Sequence, residues 1–213
     1  MKAKYIGPPS AIFSSKCSSV YVIFSGVYNP NSQTITHIRV QANDDRVCIC
    51  DSKVFDIAKI NFSGYIFSED RKSFAVDCIS YENFWEMFYE DRLEKIDNYD
   101  KAKKDFEVAK SYLYEELTFD ELSEKLANGT LNERDFVFQW LERRNDSRFI
   151  KIAMNLIDEG MYLNEKGCNV EEIFKYLARF SDDEIQAFFS KYLVECDRLG
   201  WNVEIILNYL YPE

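Results

Sequence analysis

The chain has 213 residues, of which 46% are apolar, and a formal net charge of −11 at pH 7. That apolar fraction, with 17 Phe and 14 Tyr, excludes an intrinsically disordered protein because it is enough to build a core. No apolar run reaches the roughly 18 residues that a membrane-spanning helix needs. No apolar segment of signal-peptide length follows Lys2 and Lys4 either, so we expect a cytoplasmic protein with no membrane contact.

Charge is distributed unevenly along the sequence. Residues 1–80 hold 9 Lys and Arg against 7 Asp and Glu, whereas residues 81–213 hold 17 against 30. Phosphate groups need cationic side chains, so we do not expect the acidic part to bind nucleic acid directly. An acidic surface suits a basic protein partner, such as one that itself binds nucleic acid, or it serves solubility alone.

Strand patterns dominate residues 1–80, which we interpret as a β-rich domain. Apolar, β-branched and aromatic residues form several short runs separated by turn residues such as Asn29-Pro30-Asn31-Ser32. The predicted strands cover about residues 19–24, 34–40, 46–50, 60–67 and 73–79. No helical pattern lies between them, so the sequence predicts four to six antiparallel strands.

Residues 81–117 read as connecting amphipathic helices. Aromatic side chains crowd the start of this segment and cover more than one side of the helix, which marks Trp85 and Tyr89 as candidate binding residues. The alternative is a helix buried on two sides between the strands and the helical region. Asp97-Asn98 should interrupt the helix. An apolar stripe then follows at spacings of three and four residues: Tyr99, Ala102, Phe106, Ala109 and Leu113.

Residues 118–213 are predicted to form an acidic helical domain, which makes the fold class α+β. The expected helices cover about 119–128, 132–144, 147–159, 170–180, 182–199 and 203–210. Their starts are signalled by the capping-box spacing of Thr118 with Glu121, Asn169 with Glu172 and Ser181 with Glu184. Asn132 is a further predicted N-cap.

Three of these helices resemble one another. Each runs from an Asn through acidic residues to an aromatic–Leu pair, and the pairs at Trp140-Leu141, Tyr176-Leu177 and Tyr209-Leu210 lie 36 and then 33 residues apart. The following segments also match, with Asp146 corresponding to Asp182. A period near 35 residues is typical of stacked helical hairpins, each burying its apolar face against the next. An irregular helical bundle is the alternative.

Motifs for catalysis or metal binding are scarce. The cysteines, at positions 17, 48, 50, 78, 168 and 196, are expected to be free thiols. His37 is the only histidine, and a thiol–imidazole pair with Cys48 or Cys50 on a neighbouring strand is the one conceivable catalytic arrangement. Cys48 and Cys50 lack the second pair that a zinc site requires. No phosphate-binding loop or nucleophile elbow occurs, so neither a cofactor nor a metal is predicted.

These observations favour a non-enzymatic protein-binding module. Its acidic helical scaffold would bind, and inhibit or neutralise, a partner protein, in the manner of an immunity protein, an inhibitor or a phage anti-defence protein. The candidate binding residues, besides the two aromatic ones, are acidic residues at helix starts: Glu171, Glu172, Asp182 and Asp183. Favourable interaction with the helix dipole explains the same residues without a binding role. The alternatives are an enzyme with a site around His37, Cys48 and Cys50, or a structural or assembly protein. The oligomeric state stays open.

Overall fold

The protein folds as an antiparallel sheet followed by helices, which confirms the predicted α+β class. The computed structural model describes residues 1–8, 10, 13, 20–42, 46–57, 59–89, 96–159, 170–195 and 203–212. They form two compact units, Met1–Glu121 and Leu122–Glu213. The predicted division at residues 80 and 117 stays a prediction.

The first unit is built on a curled antiparallel sheet. Its strands among the described residues are β1 (Lys2–Tyr5), β2 (Val20–Asn29), β3 (Thr34–Gln41), β4 (Val47–Asp51), β5 (Phe55–Asp56), β6 (Tyr65–Phe67) and β7 (Ser73–Val76). They are ordered β4-β3-β2-β1-β5, and β7 pairs with both β2 and β6. The sequence patterns missed β1 and β5, which have only four and two residues. They also extended β6 too far, because the residues before Tyr65 form a turn.

The long strand β2 organises the sheet because it pairs with three others. β1 pairs with Val20–Val22, β7 pairs with Ser25–Val27, and β3 pairs along most of the strand. The register of β2 against β3 shifts between Ile23 and Ser25, and again between Val27 and Tyr28. Such irregularities increase local twist and bend a strand, which accounts for the curl.

Two helices complete the first unit, α1 (Phe84–Tyr89) and α2 (Ile96–Tyr114). The predicted stripe of α2 is buried at Ala102, Phe106, Ala109 and Leu113. Phe106 stacks on Phe24 of β2 with ring centroids 4.4 Å apart, so α2 packs against the sheet. The predicted interruption at Asp97-Asn98 is wrong: both residues lie in the first turn of α2, where an acidic side chain suits the helix dipole.

The second unit is helical. After α3 (Phe119–Asn128), whose first residues belong to the first unit, it contains α4 (Leu131–Arg144), α5 (Ile150–Asp158), α6 (Glu171–Ala178), α7 (Asp183–Glu195) and α8 (Val203–Leu210). Helix α4 packs on α6, and α6 packs on α8. These are the three helices that resemble one another in sequence, and each packs on the next of the three, as stacked hairpins require.

A hydrogen bond recurs between these stacked helices. The Tyr176 hydroxyl donates to the Asp146 carbonyl at 2.6 Å. The Tyr209 hydroxyl donates to the Phe180 carbonyl at 2.9 Å and also contacts the Asp182 carbonyl at 3.2 Å. The tyrosines are equivalent in the sequence repeat, and so are the aspartates. Each aspartate also accepts a hydrogen bond from the backbone N–H two residues further on, at Arg148 and Glu184. The sequence repeat is therefore accompanied by a repeated structural connection.

Two predicted helix caps are wrong and one is confirmed. Thr118 and Glu121 form the predicted capping box, with the Thr118 N–H donating to Glu121 at 2.8 Å. Helix α4 is capped by Thr130 and not by Asn132, since the Thr130 hydroxyl accepts from the Glu133 N–H. At α7 the capping side chain is Asp182, not Ser181, because a carboxylate directly before the helix reaches the Glu184 N–H. Asn169 lies outside the described residues.

Candidate functional site

A cleft of about 300 Å³ opens on the first unit. It lies over the strands β3, β2 and β7, with residues of α1 and of the segment before it forming part of the wall. The wall residues are Ser25, Gly26, Val27, His37, Ile38, Arg39, Ile49, Ile66, Phe67, Ser68, Ser73, Phe74, Ala75, Ile79, Ser80, Tyr81 and Trp85. The volume is at the small end of the range for ligand sites in proteins.

Strand register determines which side chains face the cleft. In antiparallel strands, directly opposed residues point to the same side. A row across the sheet therefore runs, in strand order, through Ile49, Arg39, Ser25, Ala75 and Ile66. All five residues line the cleft. The row has a guanidinium and a buried hydroxyl near its middle and two exposed isoleucines at its ends.

Gly26 allows the strands beside this row to approach closely. A Cβ atom at Gly26 would lie 2.6 Å from the His37 carbonyl oxygen and 2.6 Å from the Phe74 ring. Both contacts are far shorter than van der Waals distance, so a larger residue would displace Phe74 or the β3 backbone. The floor of the cleft depends on this glycine.

Arg39 is the most unusual residue of the cleft. Its guanidinium carbon lies 4.0 Å from the centre of the Trp85 ring, a cation–π contact. Its Nε atom is buried without a hydrogen-bond partner, and no carboxylate among the described residues forms an ion pair with it. Burial lowers the pKa of Arg39, an effect that the neighbouring Tyr89 partly opposes. An arginine stays charged even so, and the described part of the cleft therefore contains a half-buried cation without a counter-ion.

Other polar groups near the cleft already have partners within the protein. The Tyr81 hydroxyl donates to Asp105 at 2.9 Å, and Lys101 forms an ion pair with the same carboxylate at 2.6 Å. The Ser68 hydroxyl donates to Asp70, and the Ser80 hydroxyl donates to the Asp77 carbonyl. Arg39 differs from these groups in having no such interaction with any residue that the structure describes.

The two aromatic candidates from the sequence both lie beside Arg39. Trp85 stacks on its guanidinium, and the Tyr89 ring is 6.1 Å from Trp85 in a stacked arrangement. The Tyr89 hydroxyl donates to the Val47 carbonyl at 2.7 Å, which holds the end of α1 against β4. Tyr89 is also more than half exposed. The short helix α1 thus presents two aromatic side chains next to the cation of the cleft.

The structure does not bring His37 together with the thiols. Cys48 and Cys50 oppose Val40 and Ile38 in the register, so they point to the core side of the sheet. His37 points to the other side, and its Nδ1 lies 3.2 Å from the Thr36 hydroxyl. Burial, followed by the neighbouring Cys48, raises the pKa of Cys50 to about 12, which keeps that thiol protonated and weakly nucleophilic.

The four acidic candidates lie in the second unit and not at the cleft. Glu171 and Glu172 both form ion pairs with Lys175 of the same helix, at 2.6 and 3.1 Å. Asp182 caps α7, and Asp183 is exposed in the first turn of that helix. Capping and pairing within a helix therefore account for three of the four.

Asp135 of α4 is an acidic residue that the sequence did not single out. One of its carboxylate oxygens is buried without a hydrogen-bond partner among the described residues. Burial, and then the charges of Glu172 and Glu171, raise the pKa of Asp135 to about 6. Arg134 opposes this shift.

Sequence reasoning also missed Arg39. The available signal was a charged residue in the middle of a strand, between Ile38 and Val40 and two positions from His37. That pattern is typical of an exposed strand face. What distinguishes Arg39 is the approach of Trp85, which lies 46 residues further along the sequence.

Comparison with protein-family models, curated proteins and solved structures finds no match for this protein. Within the described residues, no helix is long and apolar enough to cross a membrane. The same residues contain no group of three or more metal-ligating side chains. A functional proposal must therefore come from the geometry of the cleft.

Proposed function

We propose that the protein is a non-enzymatic binding module and that the cleft around Arg39 is its recognition site. The observation that carries the proposal is the half-buried guanidinium of Arg39, stacked on Trp85 and lacking a carboxylate partner among the described residues. A buried polar group left without a hydrogen bond costs about 1–3 kcal/mol. A bound acidic group would supply the counter-charge that the guanidinium lacks among the described residues.

The surroundings of Arg39 support binding over catalysis. A nucleophilic mechanism needs a base within hydrogen-bonding reach of the nucleophile. His37 and the thiols Cys48 and Cys50 point to opposite sides of the sheet. The Tyr81 hydroxyl is held by Asp105. The polar groups of the cleft are thus suited to hold a ligand.

The partner in this proposal is another protein, which the module would inhibit or neutralise as an immunity or anti-defence protein does. Trp, Tyr and Arg are the residue types that dominate the binding energy of protein interfaces. Here Trp85, Tyr89 and Arg39 are adjacent on one surface. The acidic helix starts at Glu171, Glu172, Asp182 and Asp183 would offer a second surface to a basic partner, but their internal contacts make them the weaker candidates.

Affinity capture from the native host's lysate tests this proposal, using the wild-type protein and two variants at low and moderate salt. Arg39→Gln removes the cation of the cleft. Arg143→Gln, an exposed arginine of α4, removes the same charge elsewhere and is the matched control. We expect a protein that wild type and Arg143→Gln retain and that Arg39→Gln loses, with affinity falling by roughly 30-fold, or 2 kcal/mol. Capture of the same proteins by all three baits, or of none by the wild type, would contradict the proposal.

A further inference from the structure

The charge of the cleft indicates which acidic group it can hold. Arg39 is the one Lys, Arg, Asp or Glu side chain among the described residues of the cleft wall. The nearby Lys101 is already paired with Asp105. A single cation balances a monoanion, whereas a phosphate dianion would keep an uncompensated charge in a protein whose net charge is already −11.

The orientation of Arg39 agrees with this charge balance. The guanidinium carbon lies over the Trp85 ring, 4.0 Å from its centre, and a guanidinium carries five N–H donors in a rigid planar arrangement. The ring attracts the charge of the group but offers no carboxylate or carbonyl oxygen to its donors. A planar carboxylate matches this arrangement with two parallel hydrogen bonds.

The rest of the cleft is suited to an apolar group. Ile49 is 60% exposed and Ile66 is 49% exposed, and both lie in the same row as Arg39. Phe67 and Ile79 add further apolar wall. The cleft volume of about 300 Å³ corresponds to roughly ten water molecules, room for a carboxylate with one aromatic or branched aliphatic group. Covering an exposed isoleucine such as Ile49, on the strand next to Arg39, would contribute hydrophobic free energy to binding.

We infer that the cleft binds a carboxylate attached to an apolar group, with Arg39 holding the carboxylate and the apolar wall, including Ile49 on the strand next to Arg39, covering the apolar part. This inference rests on the proposed function and names the chemistry of its site. A free organic acid and the C-terminal residue of a partner protein share this chemistry.

Ligand titration followed by NMR tests the inference, with the indole N–H signal of Trp85 as the reporter. Trp85→Phe identifies that signal among the three tryptophans. The probes are 3-phenylpropionate, N-acetylphenylalanine, N-acetylphenylalanine amide and phenyl phosphate. We expect both carboxylates to shift the signal in a saturable way and the uncharged amide to leave it unchanged. Arg39→Gln should weaken carboxylate binding by roughly 10-fold to 100-fold, as loss of a hydrogen bond to a charged group does, and Arg143→Gln should not.

The probes also separate the two sources of the carboxylate. Tighter binding of N-acetylphenylalanine than of 3-phenylpropionate supports the C-terminus of a polypeptide, and the opposite order supports a free acid. Equal binding of acid and amide, binding of phenyl phosphate at least as tight as that of the carboxylates, or no shift with any probe at millimolar concentration would overturn the inference. If lysate capture still requires Arg39 in that case, the proposed function survives and only the ligand class is wrong. Carboxylate binding without Arg39-dependent protein capture would instead remove the partner protein and leave the free acid.

Discussion

Two cations, one from each unit, are held in different ways. In the helical unit, Lys125 is paired with Glu133 at 2.7 Å, and the hydroxyls of two equivalent tyrosines donate to backbone carbonyls. In the sheet unit, Arg39 is held by Trp85 but has no counter-ion among the described residues. Polar groups of the first kind stabilise the fold. The second kind costs stability, because a buried donor is left without a hydrogen bond.

The largest effect that tests this comparison is expected at the repeated connection between helices. Tyr176 is fully buried between α4 and α6, with its ring 5.4 Å from Phe138. Tyr176→Ala removes that ring and the hydrogen bond to Asp146, and should lower the free energy of unfolding by about 3–5 kcal/mol. Urea denaturation followed by circular dichroism measures the change.

Tyr209 provides the matched test of equivalence. It makes the corresponding contact with Asp182 but is only partly buried, so Tyr209→Ala should cost less than Tyr176→Ala. The Phe variants isolate the hydroxyl groups and should each cost about 1 kcal/mol. A Tyr209→Phe variant as stable as the wild type would show that the recurring hydrogen bond has no energetic role.

The second effect concerns a paired cation. The side chains of Lys125 and Glu133 are only 11% and 19% exposed. Lys125→Met preserves most of the apolar stem but leaves the Glu133 carboxylate without its partner, which should cost roughly 2 kcal/mol, below the full penalty of a completely buried pair. A Lys125→Met, Glu133→Gln double variant should recover part of this loss. No difference between the single and the double variant would mean that the pair contributes little.

Elements with strong periodic patterns could be predicted from sequence, and those that depend on distant partners could not. The helices of the second unit fall close to their predicted ranges because their apolar periodicity and end signals agree. The short strands β1 and β5 were missed, since they are stabilised by pairing with each other and with β2. The repeat was visible because both the aromatic–Leu pairs and the aspartates recur in sequence.

The cleft was only partly predictable. Crowding of aromatic residues identified Trp85 and Tyr89, since a short helix cannot bury every side around it. Arg39 carried no such signal, because a strand arginine is usually solvated. Its burial beside Trp85, with no ion pair to any residue that the structure describes, depends on strands and a helix that are distant in sequence. The acidic candidates illustrate the opposite error: residues chosen for binding an outside partner, Glu171 and Glu172, form ion pairs with Lys175 of their own helix.

A third effect is expected at Asp135, a half-buried acidic residue of the helical unit. Its pKa is raised to about 6, above the ordinary aspartate value. Between about pH 4 and pH 6 the folded state therefore retains a proton on Asp135 that the unfolded state has released. The contribution of Asp135 to the free energy of unfolding falls as the pH rises through this range. Asp135→Asn mimics the protonated form, so it should have no effect near pH 4. Above pH 6 it should stabilise by about 1 kcal/mol, a value that allows for solvent screening of a half-exposed group.

Denaturation curves at several pH values measure this effect. Asp183→Asn changes an exposed carboxyl of the same unit and should not stabilise at any pH. An Asp135→Asn gain that is the same at both ends of the pH range would argue against a shifted titration and in favour of a simple change in packing.

The smallest effect is expected when Arg39, the cation of the cleft, is replaced by methionine as Lys125 was. Arg39→Met loses the cation–π contact with Trp85, which stabilises the fold by about 0.5–1 kcal/mol. The same substitution removes the buried Nε donor, and leaving that donor without a hydrogen bond destabilises the fold by at least as much. The free energy of unfolding should therefore stay the same or rise by up to about 1 kcal/mol, where Lys125→Met lowers it. Denaturation of both variants under one set of conditions checks the sign. A loss above about 1 kcal/mol for Arg39→Met would make Arg39 a structural residue like Lys125. A neutral or stabilising result, combined with loss of carboxylate binding, is the trade of stability for function expected at a binding site.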